Sequence, residues 1–282
     1  MVRIGTVWDS TVEVVQGRLG MLAPVAVLGL FLPSVVQAAI AAYWMAPGAE
    51  PNAGRAVLVS LLSLLLAGVT LWGALAITGM ASRPDVTRDA ASRQALNRLP
   101  ALLGVALVLG LVFLVLLLPI GAVFAASGVD MARLGQPGYE PPLSGGAALL
   151  VGLWGLAVFL FGLWALARLL PITPVVLHER LGLGAIRRSV ALTRGMTWKL
   201  IGVLLLFAVV TYVAGGAAQL VVGALAGLLL GPDGAATAQF LGAVAAAVVT
   251  TGFSVLAYVF AARLYAMRSD RDRAAESASI FA

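Results

Sequence analysis

The 282-residue chain has no cysteine, one histidine and one lysine, and charged side chains make up only 11% of it. Each shortage excludes something. Without cysteine there is no disulfide, no thiolate metal site and no cysteine nucleophile. His178 is the sole imidazole. A metal there would need further nitrogen or carboxylate ligands, and none lies close in sequence. The sequence holds no G-x-S-x-G, no H-E-x-x-H and no phosphate-cradling glycine loop. An enzyme, a metal or a cofactor is therefore not expected.

What is abundant is apolar. The composition is 61% hydrophobic and the mean hydropathy is +1.04. A soluble domain of this length would need far more polar residues to cover its surface. Six stretches, near 22–45, 56–81, 100–127, 146–170, 200–230 and 236–265, reach the ~20 residues that cross a hydrocarbon core. The fold class expected is all-α, a polytopic membrane protein with a single membrane domain over 1–282. The first run could be mistaken for a secretory signal. Its preceding region is long and carries Asp9 and Glu13, so a retained span is the expectation.

The net charge of +6 is almost all arginine, 17 residues beside Lys199. Arg3 and Arg18 precede the first span; Arg83, Arg88, Arg93 and Arg98 lie between the second and third. Arg168, Arg180, Arg187, Arg188, Arg194 and Lys199 lie between the fourth and fifth, and Arg263, Arg268, Arg271 and Arg273 follow the sixth. Only Arg55 and Arg133 fall on the other side. Basic residues in short loops stay cytoplasmic, which places both termini inside. This bias accounts for a pI near 10.5 without a nucleic-acid partner. The opposite loops hold Glu50, Asp130, Glu140 and Asp233; the longest, 128–146, contains three prolines and should be irregular.

The approaches to spans one, three and five are alike. "IGTVWDSTVEVVQGRLG", "VTRDAASRQALNRLP" and "LGLGAIRRSVALTRGMTWK" each place a mixed polar and apolar segment and an arginine (Arg18, Arg98, Arg194) before a span. Ile4, Val7, Trp8, Val12, Val15 and Leu19 recur at helical spacing, as do Leu183, Ile186 and Val190. Such segments read as amphipathic helices lying in the membrane interface, near 5–18, 86–97 and 183–194. The chain then divides into three parallel units of one interfacial helix and two spans, about 1–81, 82–170 and 171–267. Residues 268–282 would form a short, flexible cytoplasmic tail.

The third unit carries a resemblance. Pro174, Glu179, Ala185, Ser189, Leu192, Thr193, Gly195 and Trp198, within residues 174–206, are similar to a pattern in the membrane domain named after glycerophosphoryl diester phosphodiesterase and in related uncharacterised bacterial six-span proteins. The resemblance implies a bacterial inner-membrane protein. In proteins of that name a separate soluble domain carries the diesterase chemistry, with metal-binding carboxylates and catalytic histidines. This chain has one histidine and a short stretch after its last span, so the activity does not carry over.

Two clusters stand out as sites. Arg187, Arg188, Arg194, Trp198 and Lys199 suit lipid headgroups, with an aromatic and a snorkelling cation at the membrane edge. Glu179 is expected in an ion pair with Arg180, Arg187 or Arg188, Arg180 being nearest in sequence; the other reading of His178–Glu179 is a proton or metal site. The six cores hold no ionisable residue, which argues against a proton-coupled carrier. Their Gln37, Ser63, Thr70, Thr250 and Ser254 fit interhelical hydrogen bonds, and Gly223, Gly227, Gly242 and Ala246 fit close packing of spans five and six. The function expected is a non-enzymatic scaffold or accessory protein of envelope homeostasis, with anionic membrane lipid as its partner. The alternative is a transporter or channel for lipid or neutral solute.

Overall fold

The computed structural model describes residues 3–44, 52–83, 86–131, 133–134 and 138–280. Among these the chain is all helical, without a strand. Six helical stretches are long and apolar enough to cross a membrane: Ile4–Trp44, Ala53–Ser82, Arg88–Ala126, Gly145–His178, Thr197–Leu230 and Pro232–Asp270. The protein is a multi-pass membrane protein.

The first stretch is one rod of four pieces, α1 (Ile4–Ala26), a π-helical turn at Val27–Phe31, α2 (Leu32–Ala39) and a second π-helical turn at Ile40–Trp44. Pro33 cannot donate to the carbonyl of Gly29, and the helix widens at that carbonyl. The widened turn brings Gly29 against Gly73 of α3 (Ala53–Ser82); a Cβ on Gly29 would stand 2.6 Å from the Gly73 Cα. Polar caps start the next helices. Asn52 accepts from the Arg55 amide at the start of α3, and Thr87 from Ala90 at the start of α4 (Arg88–Ala126). Ser144 does the same for Ala147 at the start of α5 (Gly145–Leu169).

After Pro171 the chain makes α6 (Ile172–His178), α7 (Gly184–Leu192) and α8 (Thr197–Leu230). A 3-10 turn at Pro232–Gly234 leads into α9 (Ala235–Ile280). Gly223 of α8 and Gly242 of α9 meet as the sequence suggested, and a Cβ on Gly242 would lie 2.7 Å from the Gln219 carbonyl. Within the expected tail, α9 runs on through 268–280. Alanines, arginines and Glu276 are good helix formers and continue an established helix.

The buried core gathers at one end. Leu75, Ile77 and Met80 of α3, Ala91 and Ala95 of α4, Val175–Leu177 of α6, Ala185 of α7, and Val259 and Ala262 of α9 are all essentially inaccessible. Toward the other end Leu107, Leu114 and Leu118 of α4, Leu149 and Leu150 of α5, and Leu220 and Leu228 of α8 are exposed. Leucines left open along membrane helices meet lipid tails, which are as apolar as they are.

The three approach segments are helical, but their junctions differ. Arg18 leaves helical geometry (φ −129, ψ 16) and kinks α1. The second segment does not turn into its span: α4 runs unbroken through Arg98 and Pro100. The third is a separate helix, joined to α8 by a turn at Thr193–Met196 in which Gly195 has φ +77. Each segment also buries small residues one turn apart inside the protein, Val7 and Thr11, Ala91 and Ala95, Ala185 and Ser189. Of the apolar positions in the first segment, Val7 is therefore spent on the bundle, while Trp8 and Leu19 stay exposed.

Candidate functional site

The end with the core is also the end with the arginines, and Arg18, Arg168, Arg188, Arg263 and Arg268 have structural work there. Arg18 donates through Nη1 to the carbonyls of Met80 (2.6 Å) and Arg83 (2.8 Å), at the close of α3. The last carbonyls of a helix have no partner within it, and a cation at that terminus also meets the favourable end of the dipole. Gln94 of α4 donates to Leu177 O in the last turn of α6 (3.3 Å), and Arg168 of α5 to Val190 O near the end of α7 (3.2 Å). Arg268 of α9 donates to the carbonyl of Arg194 just beyond α7 (3.3 Å). Arg263 closes the ring by donating to Ser10 Oγ of α1 at 2.7 Å.

Glu179 lies between α6 and α7. Arg188 Nε donates to both of its oxygens, at 3.0 and 3.1 Å. The hydroxyl of Tyr265, from α9, donates to Oε1 at 3.2 Å, and the Tyr265 ring stacks on His178 with centroids 5.8 Å apart. The expected pair with Arg180 is corrected. Arg180 adopts φ +56 where the chain leaves α6, and its side chain is exposed. Arg188, just over one turn into α7, instead faces back onto the carboxylate. The pair is half-buried, with side-chain exposures of 33% and 24%. Among the described residues no group of three or more His, Asp and Glu could hold a metal ion.

The five residues expected at lipid headgroups divide. Arg187, Arg194, Trp198 and Lys199 are exposed, Trp198 at 85%, and lie along the end of α7 and the start of α8. Arg188 belongs to the Glu179 pair. The pattern that carried the resemblance also has a packing explanation. Ala185, Ser189, Leu192 and Thr193 form the buried side of α7 and its cap, and Thr193 donates to Ser189 O at 3.0 Å. Gly195 supplies the left-handed conformation needed to stop α7 and start α8. Polar residues within the spans mostly bond to their own helix, Thr70 to Leu66 O and Thr250 to Ala246 O. Only the Ser63–Gln37 contact among those expected joins two helices in the described residues, at 3.4 Å.

Two hollows border this machinery. A laterally open, mostly apolar groove of about 800 Å³ lies between α5, α8 and α9, with Thr211, Gln219, Thr250 and Ser254 along it. A smaller cavity of about 320 Å³ sits where α3, α6 and α9 meet, lined by Ser82, Arg83, His178, Tyr265, Ser269 and Asp270. Sequence reasoning missed this second cavity. Its residues come from positions far apart in the chain, and only the His178 neighbourhood gave a local signal.

Over residues 11–267 the sequence matches a domain of unknown function, DUF7847. The chain belongs to that family. The DUF7847 match covers all six membrane-length helices in whole or in large part and carries no link to the phosphodiesterase membrane domain. No curated protein and no solved structure matches this DUF7847 chain.

Proposed function

We propose that this DUF7847 protein is a non-enzymatic protein of the bacterial inner membrane, with cytoplasmic termini, that engages anionic lipid as a scaffold or accessory factor of the envelope. The supporting observation is the exposed run Arg187, Arg194, Trp198 and Lys199 beside the first turn of α8. Its three cations, Arg187, Arg194 and Lys199, face outward while Arg18, Arg168, Arg188, Arg263 and Arg268 donate to protein groups. A basic side chain near an anionic membrane surface contributes about 1 kcal/mol. The three cations together then account for roughly a hundredfold in lipid affinity. The similarity of residues 174–206 to the phosphodiesterase membrane domain fits the same setting, as a distant relation between membrane domains.

Retention of phosphatidylglycerol by the purified protein, read by native mass spectrometry, tests this reading. Changing Arg187, Arg194 and Lys199 together to glutamine should reduce retention between ten- and a hundredfold. Arg187→Lys with Arg194→Lys should keep it, because a diffuse headgroup layer needs charge more than a planar fork. Undiminished retention in the triple-glutamine protein refutes the reading. A lipid pathway is the second reading, and the lateral groove along α8 favours it. Accelerated lipid exchange between leaflets of proteoliposomes would be its signature.

A further inference from the structure

A further hollow lies where the first approach segment meets α8 and α9. It measures about 550 Å³, and Ile4, Gly5 and Trp8 of α1 border it on one side. Val203, Leu206 and Val210 of α8 form a second wall, with Phe207, Phe253 and Phe260 completing the lining. Trp8 meets Phe207 edge-on with ring centroids 5.9 Å apart, and Phe207 meets Phe253 in the same way at 6.1 Å. Edge-to-face contact is a favoured arrangement of aromatic pairs, so the rings brace the walls and leave the space between them open. The lateral groove has Thr211, Gln219, Thr250 and Ser254 along it, whereas this recess is lined by apolar and aromatic residues.

Lys199, Val203, Leu206 and Val210 follow one another at spacings of four and three residues, which makes them one stripe of α8. The α8 wall therefore begins one turn below an exposed cation. From Val203 to Val210 it covers about 10 Å of helix, within one half of a hydrocarbon core ~30 Å thick. Helical side chains lean toward the N-terminus, so the Lys199 ammonium extends toward headgroup level and away from the recess. No acid lies on α8, while the α1 side carries Arg3 and the exposed Asp9, opposite in sign. The α8 rim is the one that draws a phosphate. We propose that the recess holds one acyl chain of an anionic phospholipid whose phosphate rests on Lys199. The proposal rests on the anionic-lipid reading above and gives that lipid a place for its tail. The walls and the rim define the occupant: an apolar body with no hydrogen-bonding group, joined to an anionic head one turn above it.

Gly5 supplies the test. A Cβ there meets nothing within 4 Å, so Gly5→Leu extends a side chain into the recess without displacing backbone. Gly202→Leu is the control, equally free of neighbours within 4 Å and outside the recess. Lys199→Gln fills nothing and removes the rim charge. The full chain and its variants are equilibrated with vesicles of equal parts phosphatidylglycerol and phosphatidylcholine of identical chains, one lipid at a time carrying a diazirine on its chain. Irradiation marks the residues beside that chain, and peptide mass spectrometry reads the adducts. In wild type, residues 4–8 and 203–210 should take about fivefold more adduct from phosphatidylglycerol than from phosphatidylcholine, the difference one cation makes at an anionic surface. Gly5→Leu and Lys199→Gln should each lose that excess, and Gly202→Leu should keep it. Equal adducts from the two lipids in wild type overturn the proposal, as does a wild-type excess in either Gly5→Leu or Lys199→Gln. Lipid retention by the triple-glutamine protein separates the two failures. Undiminished phosphatidylglycerol there refutes the charged surface and the chain site with it, because Lys199 belongs to both. Diminished phosphatidylglycerol there, with equal adducts in wild type, refutes the chain site alone.

Discussion

Gly29 and Gly73 touch backbone to backbone, and the contact leaves no space for a methyl group on either. A Cβ on Gly73 would lie 2.8 Å from the Gly29 Cα, with the reverse distance at 2.6 Å. No flexible side-chain end is available to yield, so the two helices must separate. Gly29→Ala and Gly73→Ala should each destabilise the protein by about 1–3 kcal/mol, as overpacking of a tight contact does. Gly68→Ala is the control, since a Cβ there meets nothing within 4 Å. Thermal unfolding in detergent measures all three, and equal melting of Gly73→Ala and Gly68→Ala would show that the crossing is loose. Glu179 makes a second prediction at this scale. Its carboxylate takes Arg188 at 3.0 Å and Tyr265 at 3.2 Å. Glu179→Gln removes the charge from a charge-assisted contact and should cost about 1–3 kcal/mol. Arg188→Lys should restore little of the interaction, because one Nε–H lies between both oxygens in the wild type. The same unfolding measurement reads both, and anionic-lipid retention should not follow the loss.

Helices behave as hydropathy and length require, which is why all six spans were legible in the sequence. Their junctions were legible only in part. The three approach segments look alike as text, yet one kinks, one runs straight and one is severed. Glycine separates the cases. Gly17 and Gly20 flank the kink at Arg18, and Gly195 at φ +77 ends α7. No glycine lies between Gly79 and Gly104, and α4 continues through Arg98. Pro100 withholds one donor, from the carbonyl of Leu96, whose side chain is on the exposed side of the helix. Losing one hydrogen bond there does not outweigh the turns on either side. Gly195→Ala would place a side chain in the left-handed region and should cost about 1–2 kcal/mol. The arginine caps were not legible at all. Basic residues near span ends read as topology, and the carbonyls they serve belong to other helices. Arg18→Leu should therefore loosen the end of α3, a different helix. Hydrogen exchange should rise in the peptide spanning 78–83 while the 60–70 region stays protected. Unchanged exchange at 78–83 would mean that Arg18 does not hold that end.

At the scale of the whole molecule, the fold itself supplies an argument about orientation that charge counting lacks. The hydrogen bonds from Arg18 to Met80, Gln94 to Leu177, Arg168 to Val190, Arg268 to Arg194 and Arg263 to Ser10 tie α1, the end of α3, the start of α4, α7 and the distal part of α9 together at one end of the bundle. Residues hydrogen-bonded to one another cannot lie on opposite sides of a hydrocarbon core ~30 Å thick. Whichever side receives the end of α3 also receives the start of α4, the end of α7 and the distal part of α9. The small cavity was not readable in the same way, because it exists only once Arg83, His178 and Asp270 have been brought together, whereas the Arg187–Lys199 corner is local in the chain and was. The concentration of arginine carries the proposal of a cytoplasmic side, and the absence of cysteine makes it measurable without background. Single cysteines at Asn52, Gln136, Ser92 and Ser277 should divide two and two under a membrane-impermeant maleimide. Asn52, exposed at the cap of α3, and Gln136, which falls outside the described residues, should react in intact cells. Ser92, on α4 beside the buried Ala91, and Ser277, exposed on α9, should react only after permeabilisation. Because positions 92 and 277 share the arginine-capped end, they should behave alike. Reaction of both from outside would invert the orientation and keep the fold. Reaction of one without the other would break the six-span arrangement.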